Sequence, residues 1–226
     1  FMILGKKCTR RCGFCSAGRD KDLFREPDKN EPFRILEAVR RLGVKRVVIT
    51  SVTRDDLEDG GAGHFADCVD ILKRYDGLLD VEVLVPDFRG DRDSVKKVIL
   101  SGPDTFSHNI ETVPRLYVDV KPGSDYNRSL DVLRYAKKIS RHIGIKSGIM
   151  AGIGETGEEI FRVMKDLRGA GCDIVTIGQY LKPGNDCVEV KDFLHPDKFR
   201  RFSTWAGELG FKKHSCSPLT RSSYLE

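Results

Sequence analysis

The sequence predicts an α/β fold in which a parallel sheet, covered by helices, closes into a complete or partial barrel. Six short, apolar, β-rich runs alternate with helical patterns along the 226 residues, and this alternation is typical of parallel strands joined by helices. No dinucleotide-binding fingerprint follows the first run, which favours a barrel over a doubly wound sheet. Polar stretches follow the runs, where barrel enzymes place their sites.

The predicted elements follow one another in a regular order. The strands are FMILG (1–5), RVVITS (46–51), VEVLVP (81–86), TFSHNI (105–110), IKSGIMAG (145–152) and DIVTIGQYL (173–181). The helical patterns cover 63–75, 91–102, 129–142, 158–171 and 196–210; in the first, apolar residues recur at i, i+3, i+4 and i+7. We expect one domain, with a barrel core over residues 1–181 and a C-terminal extension over residues 182–226 that packs at the mouth and ends in a strand-like run.

Composition and charge exclude several classes of protein. No stretch approaches the roughly 18 apolar residues that a membrane span needs, and no basic region followed by an apolar run marks a secretion signal. The net charge of +5 comes from dispersed Lys and Arg, which predicts a solvated surface or weak attraction to an acidic partner. We expect neither a membrane nor a nucleic acid as partner, and a cytoplasmic location with an organelle left open. Because the run at Phe1 reads as the middle of a strand, we expect the natural protein to begin earlier.

The chain contains seven cysteines, an odd number that favours a reducing compartment and metal binding over disulfides. Three of them, Cys8, Cys12 and Cys15, follow the first strand at the spacing C-x3-C-x2-C. Thiolates suit zinc and iron–sulfur clusters, but a structural zinc site needs four ligands, and no further C-x2-C or H-x3-H pair follows.

Three cysteines leave one iron of a four-iron–four-sulfur (4Fe-4S) cluster open. With an aromatic residue, Phe14, before the last cysteine, the open iron typically binds S-adenosylmethionine. We predict that Cys8, Cys12 and Cys15 are the catalytic cysteines, holding a cluster that cleaves S-adenosylmethionine to a 5′-deoxyadenosyl radical. A zinc site is the alternative.

Two further motifs follow predicted strands. GIGETG (152–157) matches the pattern G-x-G-x-x-G but follows the fifth strand, so we interpret it as a nucleotide-contacting loop rather than a dinucleotide fingerprint. In HNIET, Asn109 and Glu111 share one side of the strand and can meet a ligand, whereas His108 lies on the other side. An equally open alternative is that these polar residues only cap the loop and that His108 is a buried core residue. The predicted cofactor contacts are Phe14, Thr50, Asn109, Glu111, Lys146, Gly152, Glu155 and Gln179.

Taken together, these stretches resemble the lipoyl synthase family of radical SAM enzymes. The resemblance runs from Phe1 to about Tyr224, and its most specific parts are HNIETVPRLY and RSSY. The similar blocks, in chain order, are FMILGKKCTRRCGFC, VITSVTRDDLEDGGAGHFA, VEVLVPDFRGD, HNIETVPRLY, RSLDVLRYAKK, KSGIMAGIGET, DIVTIGQYLKP and PLTRSSY.

The resemblance implies a partial (β/α)6 TIM-type barrel of the radical SAM kind with a C-terminal extension. It implies a sulfurtransferase that inserts two sulfur atoms, at C6 and C8, into an octanoyl group on a lysine of a carrier protein. The sulfur would come from a second, auxiliary 4Fe-4S cluster in the intact protein, with Ser223, rather than Ser222, as its oxygen ligand. The implied partners are octanoylated domains of 2-oxoacid dehydrogenase E2 or of the glycine cleavage H protein, and an electron donor such as ferredoxin or flavodoxin.

The sequence departs from the family pattern at three places. The auxiliary C-x4-C-x5-C motif is not in this sequence, which fits the expectation of an earlier start. Cys187 stands where the family has a basic residue and a histidine, and Cys216 lies in a stretch where the family has a glycine; each is either a cluster ligand or a small hydrophobic residue. Two other functions stay open: a radical SAM enzyme with one cluster that needs a partner or gives another product, and a zinc- or nucleotide-binding module without catalysis.

Overall fold

The computed structural model describes residues 1–17 and 26–223, so Tyr224 of the RSSY motif lies outside the described residues. Within these ranges, seven strands form one sheet in the order of the chain, and each pairs in parallel with the next. The strands are β1 (Met2–Ile3), β2 (Arg46–Ser51), β3 (Asp80–Leu84), β4 (Thr105–Ser107), β5 (Gly144–Ala151), β6 (Ile174–Gln179) and β7 (Lys213–Ser217).

Helices join the strands and cover the sheet. They are α1 (Glu31–Leu42), α2 (Ala62–Tyr75), α3 (Arg92–Leu100), α4 (Tyr117–Val120), α5 (Tyr126–Ile139), α6 (Gly157–Gly169) and α7 (Pro196–Glu208), with short 3-10 turns at Phe88–Gly90 and Pro114–Leu116. In the described part of the chain, no helix combines the length and the apolar composition that crossing a bilayer requires.

The structure confirms the predicted α/β fold with a parallel sheet. All six predicted strands and all five predicted helices are present, and the strand-like run near the C-terminus forms β7 beside β6. Helices α1 and α4 were not predicted, although α1 has a proline in its first turn and ends at Gly43 with φ 60°, both ordinary helix-boundary signals. Among the described residues no pairing joins β1 to β7, so the barrel is open, as a partial barrel requires.

Successive side chains along each strand point to opposite faces of the sheet, and the two faces differ in polarity. Side chains that face the helices are apolar and fully buried, such as Val83 on β3 and Phe106 on β4. Side chains on the other face point into the barrel and include the buried polar residues Glu82, Ser107 and Lys146, which hydrogen bond to one another. The inside of the barrel is therefore polar below the mouth, where the carboxyl ends of the strands meet.

Two loops at the mouth are joined at the start of α6. Thr156 and Glu159 form a reciprocal capping box, in which each side chain accepts a hydrogen bond from the other residue's backbone N–H. Arg115, in the loop after β4, donates to both carboxylate oxygens of Glu159 at 2.9 and 3.0 Å. These hydrogen bonds, from Arg115 and from the backbone of Thr156, lower the pKa of Glu159 to about 2.

We predict that Glu159→Gln lowers the free energy of unfolding by about 1 kcal/mol at neutral pH. Because the folded-state pKa of Glu159 is depressed, its stabilisation is complete above the ordinary glutamate pKa and is lost as the pH falls towards about 2. Denaturant titrations of both proteins at several pH values test this. Glu158→Gln, whose side chain is 87% exposed, is the control; an equal and pH-independent effect of both substitutions contradicts the prediction.

Candidate active site

The three-cysteine loop, residues 8–15, lies at the mouth of the barrel directly after β1. Backbone hydrogen bonds attach it on three sides: Thr9 N–H donates to Thr53 O at 3.0 Å, and Gly13 N–H donates to Val120 O at 2.8 Å. Gly13 O accepts from the N–H of Val188 at 2.7 Å. The loop therefore lies between the loop after β2, the end of α4 and the segment after β6.

A buried ion network fixes the same loop through Arg10. Its guanidinium donates to Asp55 at 2.8 Å and to Asp87 at 2.6 Å. The side chain of Asp87 is fully buried and also pairs with Arg128 at 2.8 Å. Burial alone would raise the pKa of Asp87, but the hydrogen bond and charge of Arg10 hold it well below its usual range. Because these partners follow β2 and β3 and begin α5, the loop is positioned before any ligand binds.

The three thiols of the loop form no disulfide within the described part of the chain, and each is partly exposed. Burial raises the pKa of Cys12 to about 11 and also raises the pKa of Cys15, and each of these thiols lies within electrostatic reach of the other and of Cys8. Around these thiols and elsewhere in the described residues, no group of three or more His, Cys, Asp or Glu is arranged to hold a single metal ion. Three soft donors in one tethered loop fit an iron–sulfur cluster, whose binding would release their protons.

A cavity of about 350 Å³ opens beside this loop at the carboxyl ends of the strands. Its size is that of a small-molecule site. The residues of interest in its lining come from the cysteine loop, from the segment after β4, from the end of β6 and from the C-terminal segment: Phe14, Asn109, Glu111, Gln179, Arg221 and Ser222. Four of the eight predicted cofactor contacts thus share one cavity.

The side-chain oxygen of Asn109 is available to accept a hydrogen bond from a ligand. Its Oδ1 is buried and has no hydrogen-bond partner among the described residues, and such orphaned acceptors are rare unless a ligand or water completes them. A Cβ at position 148 would lie 2.8 Å from this oxygen, so Gly148 makes room for the amide. Glu111 beside it has φ 71°, a strained conformation of the kind found at functional sites.

Lys121 was not predicted to belong to the site, yet its side chain is buried against Asn109, which lines the cavity. Its ammonium is buried and donates to Asn109 O at 2.9 Å. Burial lowers the pKa of Lys121, and the charges of Glu111, Asp87 and Cys12 act in the opposite direction. A lysine next to a Pro-Gly pair suggests an exposed turn, so nothing in the local sequence indicates this burial.

Gln179 and two further predicted contacts, Gly152 and Glu155, hydrogen bond to other groups of the protein. The amide of Gln179 donates to Tyr180 O and to Asp192 O, both at 3.0 Å. The carboxylate of Glu155 accepts the backbone N–H of Gly152. Gly152 and Glu155 line a different space, a groove of about 940 Å³ between α6 and α7, and not the cavity beside the cysteines.

The remaining strand residues lie outside the cavity lining. Thr50 donates its hydroxyl to Leu84 O at 3.1 Å. Lys146 is fully buried and paired with Glu82 inside the barrel. His108 is hydrogen bonded to Val85 O at 2.9 Å and to the hydroxyl of Ser129 at 3.1 Å, and burial lowers its pKa to about 3. The structure thus favours the interpretation of His108 as a neutral residue of the core.

The C-terminal residues reach the cavity from the side of β6. Ser222 lines the cavity, whereas Ser223 is exposed next to it. Cys187 is buried and lies within electrostatic reach of Cys15. Cys216 on β7 packs against the hydrophobic core, and burial raises the pKa of its thiol to about 12. The two unusual cysteines thus differ, because only Cys187 is placed beside the three-cysteine loop.

Comparison with known proteins identifies relatives of the whole chain. Residues 2–167 match the family model of the Radical SAM superfamily. The chain is 52% identical over 225 residues to a lipoyl synthase of Caldicellulosiruptor saccharolyticus, covering 100% of this chain and 78% of that protein. It is 50% identical over 224 residues to a lipoyl synthase of Caldanaerobacter subterraneus subsp. tengcongensis, covering 99% of this chain and 78% of that protein.

Solved structures support the fold. HydG, a maturase of the FeFe-hydrogenase, matches with a TM-score of 0.74 at 14% identity, covering 94% of this chain and 50% of that chain. At this identity the likeness shows the fold alone, and this chain shares the arrangement of strands and helices.

We predict that Arg10→Gln lowers the free energy of unfolding by about 3 kcal/mol, because it removes one of the two cations that neutralise the buried Asp87. Arg11→Gln is the matched control, since Arg11 is the next residue of the same loop and is exposed; its effect should stay within about 0.5 kcal/mol. Chemical denaturation of the three proteins measures the difference. Equal stability of the two variants contradicts the role of Arg10 in fixing the loop.

Proposed function

We propose a reaction for this protein from its family: the chain belongs to the lipoyl synthase family of the radical SAM superfamily. The proposed reaction is the insertion of two sulfur atoms, at C6 and C8, into an octanoyl group carried on a protein lysine. The observation that carries the proposal is the tethered loop of Cys8, Cys12 and Cys15 beside a cavity with an orphaned acceptor on Asn109.

The residues of the site have separate tasks. Cys8, Cys12 and Cys15 would hold a 4Fe-4S cluster, which with bound S-adenosylmethionine supplies a 5′-deoxyadenosyl radical that removes hydrogen from the octanoyl chain. Oδ1 of Asn109 accepts a hydrogen bond from an amino or hydroxyl group of the ligand. Phe14 covers the cavity from the side of the cysteine loop, which limits the access of water to a reactive intermediate.

The source of sulfur and the partners belong to the same proposal. We assign the sulfur to an auxiliary 4Fe-4S cluster in the intact protein, with the hydroxyl of Ser223 as one ligand. The partners are octanoylated carrier domains of 2-oxoacid dehydrogenases or of the glycine cleavage system, and a ferredoxin or flavodoxin as electron donor. The net charge of +5 suits an acidic carrier, and an odd number of cysteines, seven, suits a reducing compartment, for which we propose the cytoplasm.

A radical SAM enzyme with a single cluster is the second candidate. This candidate is favoured by the positions of the cysteines outside the loop. Cys68 and Cys172 are fully buried in the core, so Cys187 is the one further cysteine, among the described residues, that lies beside the three cysteines of the loop. Iron and sulfide per chain after anaerobic reconstitution separate the candidates. About four irons indicate one cluster in these residues, and about eight indicate two.

We predict that Cys12→Ala abolishes the reductive cleavage of S-adenosylmethionine, because a cluster with two thiolates loses the ligand set that the loop provides. Formation of 5′-deoxyadenosine under anaerobic reducing conditions is the measurement. Cys216→Ala, which removes a thiol on β7 far from the loop in the chain, is the control and should retain cleavage. Cleavage at the wild-type rate by Cys12→Ala would remove the basis of the proposed function.

We predict that Ser223→Ala spares the cleavage of S-adenosylmethionine but stops sulfur insertion in the intact protein, because only the auxiliary cluster loses a ligand. Mass spectrometry of an octanoylated carrier domain measures the lipoyl product. Ser222→Ala tests the choice between the two adjacent serines. Product at the wild-type rate from Ser223→Ala, with loss in Ser222→Ala, assigns the ligand to Ser222 instead.

A further inference from the structure

We propose that Lys146 is a positioning residue that anchors the C-terminal tail, residues 218–223, inside the barrel. The side chain of Lys146 is fully buried, and its ammonium donates to Glu82 at 2.8 and 3.0 Å. The same ammonium donates to the backbone carbonyl of Ser222. An ammonium has three N–H donors, so these three contacts use all of them.

The other end of the ion pair is also fully occupied. The carboxylate of Glu82 is buried and accepts hydrogen bonds from the hydroxyl of Ser107 at 2.8 Å and from the guanidinium of Arg46 at 2.7 Å. These donors stand on β4 and β2, and Lys146 stands on β5. Because a buried charge is costly unless it is paired, the ammonium is held at one place inside the barrel. It therefore offers the tail a fixed donor.

A second contact guides the tail to this donor. A Cβ at position 178 would lie 2.1 Å from the carbonyl oxygen of Thr220, so only a glycine lets the tail pass this close to β6. The hydroxyl of Thr220 is hydrogen bonded to those of Ser215 and Ser217, both at 2.9 Å. The tail is thus held against β6 and β7 at Thr220 and against β5 at Ser222.

The anchored carbonyl is directly followed by Ser223. Consecutive Cα atoms are about 3.8 Å apart, so fixing Ser222 confines the Ser223 hydroxyl to the edge of the cavity that Ser222 lines. Any role of this placement in sulfur insertion rests on the proposed function. The contact between Lys146 and Ser222 is independent of that function. Lys146 was expected to contact the cofactor; its contacts instead assign it to the segment that carries the serine.

Hydrogen exchange of the tail tests the anchor without requiring any reaction. Glu82→Gln keeps the amine of Lys146, charged or neutral, as a donor to Ser222, whereas Glu82→Gln/Lys146→Met removes this donor. We expect the amides of Thr220 and Gln179, which donate to Ser217 O and Pro218 O, to exchange about tenfold faster in the double variant than in Glu82→Gln. Amides of β3 and β5 should keep equal rates in the two variants.

Lys137→Met is the matched control, because Lys137 pairs with Asp173 at 2.7 Å without contacting the tail; tail exchange should match the wild type. Equal tail exchange in Glu82→Gln and in the double variant overturns the proposal.

If the double variant does not fold, NMR of the wild-type protein decides. A scalar coupling across the hydrogen bond from Nζ of Lys146 to the carbonyl carbon of Ser222 supports the anchor, and its absence overturns it. A protein that shows the anchor but makes no lipoyl product contradicts the proposed function alone. A protein that makes the product with an unanchored tail contradicts this inference alone.

Discussion

The architecture of the mouth depends on the neutralisation of one buried carboxylate. Asp87 is shielded from water, so its charge requires cations at contact distance, and Arg10 and Arg128 supply them. Arg10 lies between the first two cysteines of the loop, and Arg128 lies in the first turn of α5. One electrostatic requirement therefore joins the segment after β1, the loop after β3 and a helix, and it fixes the cysteines relative to the strands.

A second buried ion pair organises the barrel one layer lower. Glu82 and Lys146 lie inside the sheet, below the cavity, and connect β3 with β5. Between the two networks the cavity contains the orphaned oxygen of Asn109 and the strained Glu111. The protein thus holds this small cavity between groups of charges that are already paired with one another, which keeps its walls rigid.

Family membership and fold rest on different observations. Relatives that share half of the residues along the whole chain establish the family, whereas the likeness to HydG at 14% identity establishes the barrel alone. Ser222 lines the cavity, and the C-terminal segment reaches this position because β7 adds to the edge of β6. The C-terminal segment therefore contributes to the lining of the cavity.

The sequence by itself determined the six predicted strands, the five predicted helices and the cysteine loop, because apolar periodicity and the spacing of Cys8, Cys12 and Cys15 are local properties of the chain. The tertiary structure alone decided which side chains meet. Arg10 and Asp87 are 77 residues apart, and Lys146 and Ser222 are 76 apart, and no local pattern encodes such pairs. It likewise buried Lys121 beside the cysteines and turned Gly152 and Glu155 towards another groove. The physical reason is that periodicity reports which face of an element is apolar, whereas the partners of a polar group are chosen by the packing of the whole sheet.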